Sequence, residues 1–304
     1  MTPEGIECRV LYRDALMIVI DKPAGMAVHR GPKGGASLED GFEDLRFGLP
    51  RAPALAHRLD RDTSGCLVLG RHRKALAHLG ALFKHGRVGK TYWAIVEGVP
   101  DANEGEIDLP LGRLDATRGW WMKPDAKGLP ALTRWRVLGR SSNSDTSPSR
   151  TRVFPSSAID DWSKSETSDV DEGEVAAVGG GRGVDSNAGA DTPLPNPPPQ
   201  GGRGPAEQAA LPRTQHRTWL ALEPVTGRTH QLRVHCAAKG WPIVGDAIYG
   251  SAPRHGGPRL HLHAAEVVVP LYPKREPIRV TAPVPEHMRE LLKACGWKHA
   301  AEAR

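Results

Sequence analysis

The sequence predicts an α+β fold on a mixed, largely antiparallel sheet, and three observations carry that prediction. Stretches of strand length that alternate or run apolar outnumber stretches with helical spacing. Most of them follow one another directly, so clean βαβ units are few. A long low-complexity segment also separates two strand-like stretches, as an enlarged hairpin tip would.

Arg9 to Asp21 contains the strand-like ALMIVIDK, followed by a Pro-Ala-Gly turn and MAVHRG. Leu67 to Gly70 is a short apolar strand, and KALAHLGALFK (74–84) places apolar residues at helical spacing. Val88 to Val96 includes the alternating KTYWAIV, a strand. LTRWRVL (132–138) and TWLALEP (218–224) alternate like the two arms of a hairpin. Further on, THQLRVHCAAKG reads as a helix beginning near Thr229, HLHAAEVVV as a strand and Pro285 to Cys295 as a closing helix with Pro near its first turn.

Between these arms the composition changes sharply. Residues 141–213 run through SSNSDTSPSR, an acidic patch from Asp160 to Glu174, and VGGGRGVDSNAGADTPLPNPPPQGGRGP. Such a segment buries too little apolar surface to offset its ordering entropy, so it reads as a disordered insertion in the hairpin. Its TPLPNPPPQGGRG portion resembles the translated product of a mobile repeat element. Without it, residues 1–140 and 214–304 leave about 230 residues for a single domain.

A net charge of +6 and a pI near 9.2 point toward polyanions. The N-terminus carries Glu4 and Glu7 and has no apolar core of signal-peptide length. No run approaches the roughly 20 apolar residues that cross a bilayer, which excludes a helical membrane span. Cys8, Cys66, Cys236 and Cys295 are scattered without a CxxC pair and read as reduced thiols of a cytoplasmic protein.

Three constellations carry candidate chemistry. HRLDRDTSG (57–65) sets Asp60 and Asp62 among His57, Arg58 and Arg61. Nearby guanidinium groups favour a carboxylate's charged form, which suits a nucleophile or an ion-pair anchor and not a general acid. Asp62, Thr63 and Ser64 read as turn and capping residues, whereas Asp60 stays open between structural and working roles. TGRTHQLRVHCAAKGWPIVGDAIYG (226–250) gathers Arg228, His230, Gln231, Arg233 and His235 within eight positions. On a helix, Thr229 and Arg233 share one face, and Gln231 and His235 another. Arginine's planar fork suits a nucleic-acid backbone and an active-site carboxylate alike. A metal set of His230 and His235 with Asp246, or of His261 with His263, has poor spacing, and no HExxH is present. GRVGKTYWAIVEG (86–98) puts Lys90 and Tyr92 on one face of a strand, where a tyrosine can stack on a base, exchange a proton or simply pack.

Together and in this order, DKPAGMAVHRG, HRLDRDTSG, KTYWAIVEG and the 226–250 segment resemble the RluA-type RNA pseudouridine synthase family. The resemblance runs from about Val10 to Cys295 outside the insertion. It implies a pseudouridine synthase catalytic domain: a mixed, mostly antiparallel sheet with flanking helices and a central cleft. No S4 RNA-binding module is expected ahead of it. The resemblance makes Asp60 the catalytic aspartate, Arg233 its partner, and Tyr92 the residue lining the uracil face and able to move the ring proton. Arg58 falls where relatives fill the gap left by a flipped base. His57, Arg61, Thr63, Lys90, Arg228, His230 and Gln231 are expected to contact substrate or RNA.

The implied reaction is an isomerisation of uridine in structured RNA, either large-subunit ribosomal RNA or a tRNA stem-loop. No cofactor and no metal are expected, and a monomer is the family default. Asp60 acts as nucleophile or promotes loss of a ribose proton; the sequence leaves both open. An inactive RNA-binding protein of the same fold would lack a carboxylate at 60 or an arginine at 233. A nucleotide-dependent enzyme would show GxxxxGK[ST], which is absent, and no DFG follows HRLD as it would in a protein kinase. The insertion could alternatively be a second RNA-contacting arm, and Trp120 and Trp121 could stack on RNA bases, although covering the sheet is the simpler reading.

Overall fold

A computed structural model describes residues 5–30, 34–114, 121–141 and 216–298. Its strands are β1 (Val10–Arg13), β2 (Met17–Lys22), β3 (Ala54–Leu55), β4 (Ser64–Gly70), β5 (Gly89–Glu97), β6 (Glu104–Asp108), β7 (Leu111–Arg113), β8 (Met122–Pro124), β9 (Leu132–Arg140), β10 (Arg217–Pro224), β11 (Leu262–Val269) and β12 (Ile278–Thr281). The α-helices are α1 (Arg73–Lys84), α2 (Gln231–Ala238) and α3 (Glu286–Ala294). Among the described residues, ten strands form one sheet in the order β1-β2-β4-β11-β5-β10-β9-β6, with β3 on β4 and β12 on β11, while β7 and β8 make a separate hairpin. Strands β4 and β11 pair parallel, and every other strand pairing among the described residues is antiparallel.

The apolar runs MIVIDK and SGCLVLG become β2 and β4, buried on both faces. Because successive side chains point to opposite faces, Ile18, Ile20, Leu67 and Leu69 pack with Ile6, Leu38, Phe42 and Leu45 on one side. Met17, Val19, Cys66 and Val68 join Leu79 of α1 and Val267 on the other. A third cluster under α2 combines Ala94, Val96, Leu220, Leu222, Leu232 and Trp241. All four cysteines are free, with Cys8 exposed and the other three buried.

Several boundaries differ from the sequence expectation. The strand-like ALMIVIDK becomes β2, and the residues ahead of it add a second strand, β1, to make a hairpin: Asp14 Oδ1 accepts the Leu16 and Met17 amides at 2.8 Å each, turning the chain between them. Tyr12 and Tyr272 donate to the other oxygen of Asp14 at 3.0 Å. The strand expected at Leu67 starts at Ser64, so the turn of HRLDRDTSG lies at Asp60–Thr63 and Ser64 belongs to the sheet. There Gly65 has φ +104, and a Cβ would meet the Ala264 carbonyl oxygen at 2.3 Å. The parallel pairing of Gly65 with Ala264 therefore requires glycine. Helix α2 starts at Gln231, leaving Thr229 outside it. Gln231 and His235 do share a face, because both bond to Thr133 Oγ1, at 3.0 and 2.9 Å.

The two hairpin arms pair as the alternation predicts, from Thr133 opposite Pro224 to Arg140 opposite Thr218. The Ser141 amide donates to the Arg217 carbonyl at 2.9 Å, so pairing continues to the edge of the described residues. The insertion that the sequence places at 141–213 lies, apart from Ser141, outside the described residues, as does Trp120. Trp121 faces the Arg254 guanidinium, 5.4 Å from its ring centre.

Two predictions follow from these strands. Gly65→Ala is expected to lower stability by about 2–4 kcal/mol, measured by urea unfolding, because left-handed strain and overpacking add. Replacing residues 142–215 by an Asn-Gly turn is expected to leave the β9–β10 register and the thermal midpoint close to wild type; loss of cooperative unfolding would show that the segment is needed for folding.

Candidate active site

The motifs meet in one cleft with a volume of about 660 Å³. Its walls include Arg58, Asp60 and Thr63 from the turn before β4, Lys84 and His85 from the end of α1, Lys90 and Tyr92 from β5, and residues 224–233 leading into α2.

The turn carrying Asp60 is held from beneath. Lys22, at the end of β2 and opposite Gly65, is fully buried, and its Nζ donates to the carbonyls of Pro23, Arg61 and Thr63 at 2.8 Å each. Burial pulls this ammonium down to about 8, against the opposing charges of Asp62 and Asp60. The Thr63 amide closes the turn on the Asp60 carbonyl at 3.2 Å. The Asp60 side chain reaches the cleft with 21% of its surface exposed.

Arg233 lies against Asp60 because another aspartate fixes it. Its Nε and Nη2 donate to Asp246 Oδ2 and Oδ1 at 2.8 and 2.7 Å. Asp246 Oδ1 also accepts the Ile248 and Tyr249 amides at 2.9 and 3.0 Å. Burial pulls the Arg233 guanidinium down, yet the Asp246 hydrogen bonds and charge, joined by Asp60, outweigh it and leave it above its ordinary value. Burial pushes the Asp246 carboxyl up, but Arg233 and the backbone amides hold it below the ordinary range. The third arm, Nη1, lies 3.8 Å from Asp60 Oδ2.

His230 caps α2 in the left-handed region, at φ 52. Its Nε2 is 3.8 Å from the same Asp60 oxygen, and its Nδ1 is 2.8 Å from the Tyr249 hydroxyl. Burial holds this imidazole below its ordinary value, against the charge of Asp60, so it is neutral near pH 7. Tyr92 stands opposite Ala264 and Leu222 in the sheet. Burial, then the charge of Asp60, pushes its phenol well above the ordinary value, so it keeps its proton.

A family model for RNA pseudouridylate synthase matches residues 16–238. The chain belongs to the RluA-type RNA pseudouridine synthase family. Within the family, an uncharacterised RNA pseudouridine synthase of Zymomonas mobilis is 35% identical over 93% of this chain and 96% of its own. Ribosomal large subunit pseudouridine synthase C of Vibrio vulnificus is 28% identical over 94% and 68%. Among solved structures, human RNA pseudouridylate synthase domain containing 4 superimposes with a TM-score of 0.59 at 21% identity, covering 95% of this chain and 93% of that one. That likeness bears on the fold. The chain is thus an isomerase that makes pseudouridine in RNA, on the mixed-sheet α+β fold expected from its sequence.

The residues singled out by sequence fall into different surroundings in this synthase. Arg58, Lys90 and Arg228 line the cleft, and Arg228 Nε also donates to the Pro130 carbonyl at 3.0 Å. Arg61 is exposed and donates to the Gly25 carbonyl at 3.1 Å, away from the lining. His57 reaches the lining but accepts the Val68 amide at 3.0 Å and stacks on Phe83; burial, with the Lys90 charge second, lowers it to about 3. It is therefore a neutral support and not a cation for phosphate. Thr63 is buried. Gln231 spends its whole amide inside the fold, accepting from Thr226 Oγ1 and the Arg228 amide and donating to Leu132 O and Thr133 Oγ1.

Sequence reading missed Lys22 and Tyr249, and it weighed Asp246 only as a metal ligand. A lysine at the end of an apolar strand and an aspartate in a glycine-rich turn were the available signals. Among the described residues, no group of three His, Cys, Asp or Glu side chains is placed to hold a metal ion. No helix among them is long and apolar enough to cross a membrane.

Asp246→Asn strips the Arg233 guanidinium of its buried counter-charge. The expected result is a loss of about 3 kcal/mol in denaturant unfolding together with a large drop in activity, since removing one partner of a buried pair leaves the other uncompensated. Unchanged stability would mean that Arg233 does not depend on Asp246.

Proposed function

We propose that this synthase acts on a uridine of structured RNA in the cytoplasm, with Asp60 as its working carboxylate, Arg233 as the fixed counter-charge and Tyr92 against the uracil ring. The single observation that carries this reading is the approach of Arg233 Nη1 to Asp60 Oδ2 at 3.8 Å on the cleft wall, while Asp246 occupies the rest of the guanidinium. The N1–C1′ bond of the uridine breaks, the ring turns while bound, and a C5–C1′ bond forms. The C5 proton leaves and N1 gains one, so nothing is consumed.

Asp60 enters either as a nucleophile on the ribose or as a base that removes a ribose proton. Both roles need an ionised carboxylate in a partly dry cleft with its counter-charge already in place. Tyr92, protonated and half-buried near it, offers an O–H to the ring. The target base must first leave its stack, at a cost of a few kcal/mol. Arg58, exposed at the cleft, enters the vacated space, and Lys90 and Arg228, which also line it, meet phosphate. The substrate class is large-subunit ribosomal RNA or a tRNA stem-loop, and the names of the Vibrio relatives favour the first. The enzyme works as a monomer.

The test is carbodiimide mapping of pseudouridine across total RNA from cells lacking the protein, complemented with wild type or with Asp60→Ala. One uridine signal is expected to vanish in the deletion and return with wild type alone. A signal that Asp60→Ala restores in full would remove Asp60 from the chemistry.

A further inference from the structure

His230, Tyr249 and the Met122 backbone form a polarised chain that ends on the catalytic carboxylate. The Met122 amide can only donate, so the Tyr249 oxygen accepts its N–H, at 3.0 Å. The phenol keeps its own proton, because burial pushes it up to about 12. That proton is then available to the neighbouring His230 Nδ1 at 2.8 Å. A neutral imidazole that accepts at Nδ1 carries its hydrogen on Nε2, and Nε2 faces Asp60 Oδ2 at 3.8 Å.

We propose that His230 is a positioning residue for Asp60: Tyr249 fixes its tautomer, so that a neutral Nε2–H and the Arg233 Nη1 both address Oδ2 and reserve Oδ1 for the ribose. This inference rests on the assignment of Asp60 as the working carboxylate. Three features support it. Nε2 and Nη1 stand at the same 3.8 Å from one oxygen, so both approach the carboxylate at Oδ2. Catalytic hydrogen bonds are often longer in the free enzyme and tighten with substrate. His230 also keeps a left-handed backbone at φ 52, uncommon outside glycine. From this N-cap position the side chain reaches the Asp60 turn, with Nε2 3.8 Å from Oδ2. A neutral donor suits this place, since it orients the carboxylate without adding a second full charge to that of Arg233.

Two side chains separate this role from simple packing. Glutamine places its amide nitrogen near the position of Nε2, whereas asparagine places its own near Nδ1 and is the better residue for a left-handed backbone. Full-length wild type, Asp60→Ala, His230→Gln, His230→Asn, His230→Ala and Tyr249→Phe would be assayed on RNA from cells lacking the enzyme and grown in [5-³H]uridine. Release of tritium reports loss of the C5 hydrogen.

His230→Gln is expected to retain kcat within about tenfold of wild type, while His230→Asn and His230→Ala lose about 100-fold in kcat at a nearly constant apparent KM. Glutamine and alanine falling equally would overturn the proposal, as would a loss carried by KM. Nitrogen-15 spectra of the histidine side chains give a readout independent of turnover: the hydrogen is expected on Nε2 of His230 in wild type and shared between both nitrogens in Tyr249→Phe. A hydrogen on Nδ1 in wild type would reverse the chain and refute the inference. Absence of tritium release from wild type would instead sink the isomerase assignment itself, which keeps the two failures apart.

Discussion

The bidentate pair between Arg233 and Asp246 is the constraint on which the cleft depends. Two opposite charges are taken out of water near the start of α2, a placement that burial alone opposes. Asp246 is tolerated because its carboxylate accepts four hydrogen bonds, two from Arg233 and two from the turn at Ile248 and Tyr249. Arg233 is tolerated because two of its three nitrogens are engaged in a fixed plane, over the ring of Tyr249 at 5.2 Å. The guanidinium therefore has no rotational choice, and its remaining nitrogen must face Asp60. An arginine free to swing would have to be ordered when RNA binds; here that cost is met in folding.

Lys22 complements this from the other side of the turn. Its ammonium takes only backbone carbonyls within hydrogen-bond reach, three of them, so it fixes the path of the Pro23 and Arg61–Thr63 backbone without neutralising a carboxylate. Above it the chain enters β4 through Gly65, whose close approach to Ala264 joins β4 to β11. The turn is thus anchored at both ends to the middle of the sheet, although it sits at the surface of a cleft. These contacts tie the loop to the sheet, as placement of one carboxylate against one guanidinium to within about 0.5 Å demands.

The parts legible in the sequence were those written locally. Alternation in LTRWRVL and TWLALEP gave the β9–β10 pairing across a gap of more than 70 residues, since each arm carries its own period. The helices at Arg73–Lys84 and Glu286–Ala294 were legible from their apolar spacing. Asp60, Tyr92 and Arg233 stood out through motifs, and the fold brings all three to one cleft. What was not legible depends on contacts between distant segments. Lys22 reaches carbonyls 39 and 41 residues away, and Gln231 reaches Leu132 at a separation of 99. Such pairs leave no periodic trace, so Gln231 and His57 read as polar groups for RNA although the fold uses them internally. The β1–β2 turn escaped because it rests on one carboxylate, Asp14, collecting two amides inside an otherwise strand-like run.

Charge in the cleft is sorted by depth, and this sorting matches the proposed reaction. Burial drives His57 and His230 to their neutral forms, keeps Tyr92 protonated and lowers Lys90. Arg233 and Asp246, by contrast, are stabilised as ions, each by the other. Uracil is itself neutral, so a deep wall of neutral imidazole, phenol and aliphatic groups such as Leu59 and Leu262 can receive it without a desolvated charge to offset. On the proposed reading the backbone phosphates stay outside so dry a space and meet the guanidinium groups of Arg58, which is exposed, and Arg228, which is half-buried, along the cleft. Asp60, one-fifth exposed, lies at the boundary between these zones. On the proposed reading, a carboxylate deeper in the cleft would need its own buried counter-ion, and one farther out would be hydrated and less reactive as nucleophile or as base. Its position follows from the single guanidinium nitrogen that Asp246 leaves over.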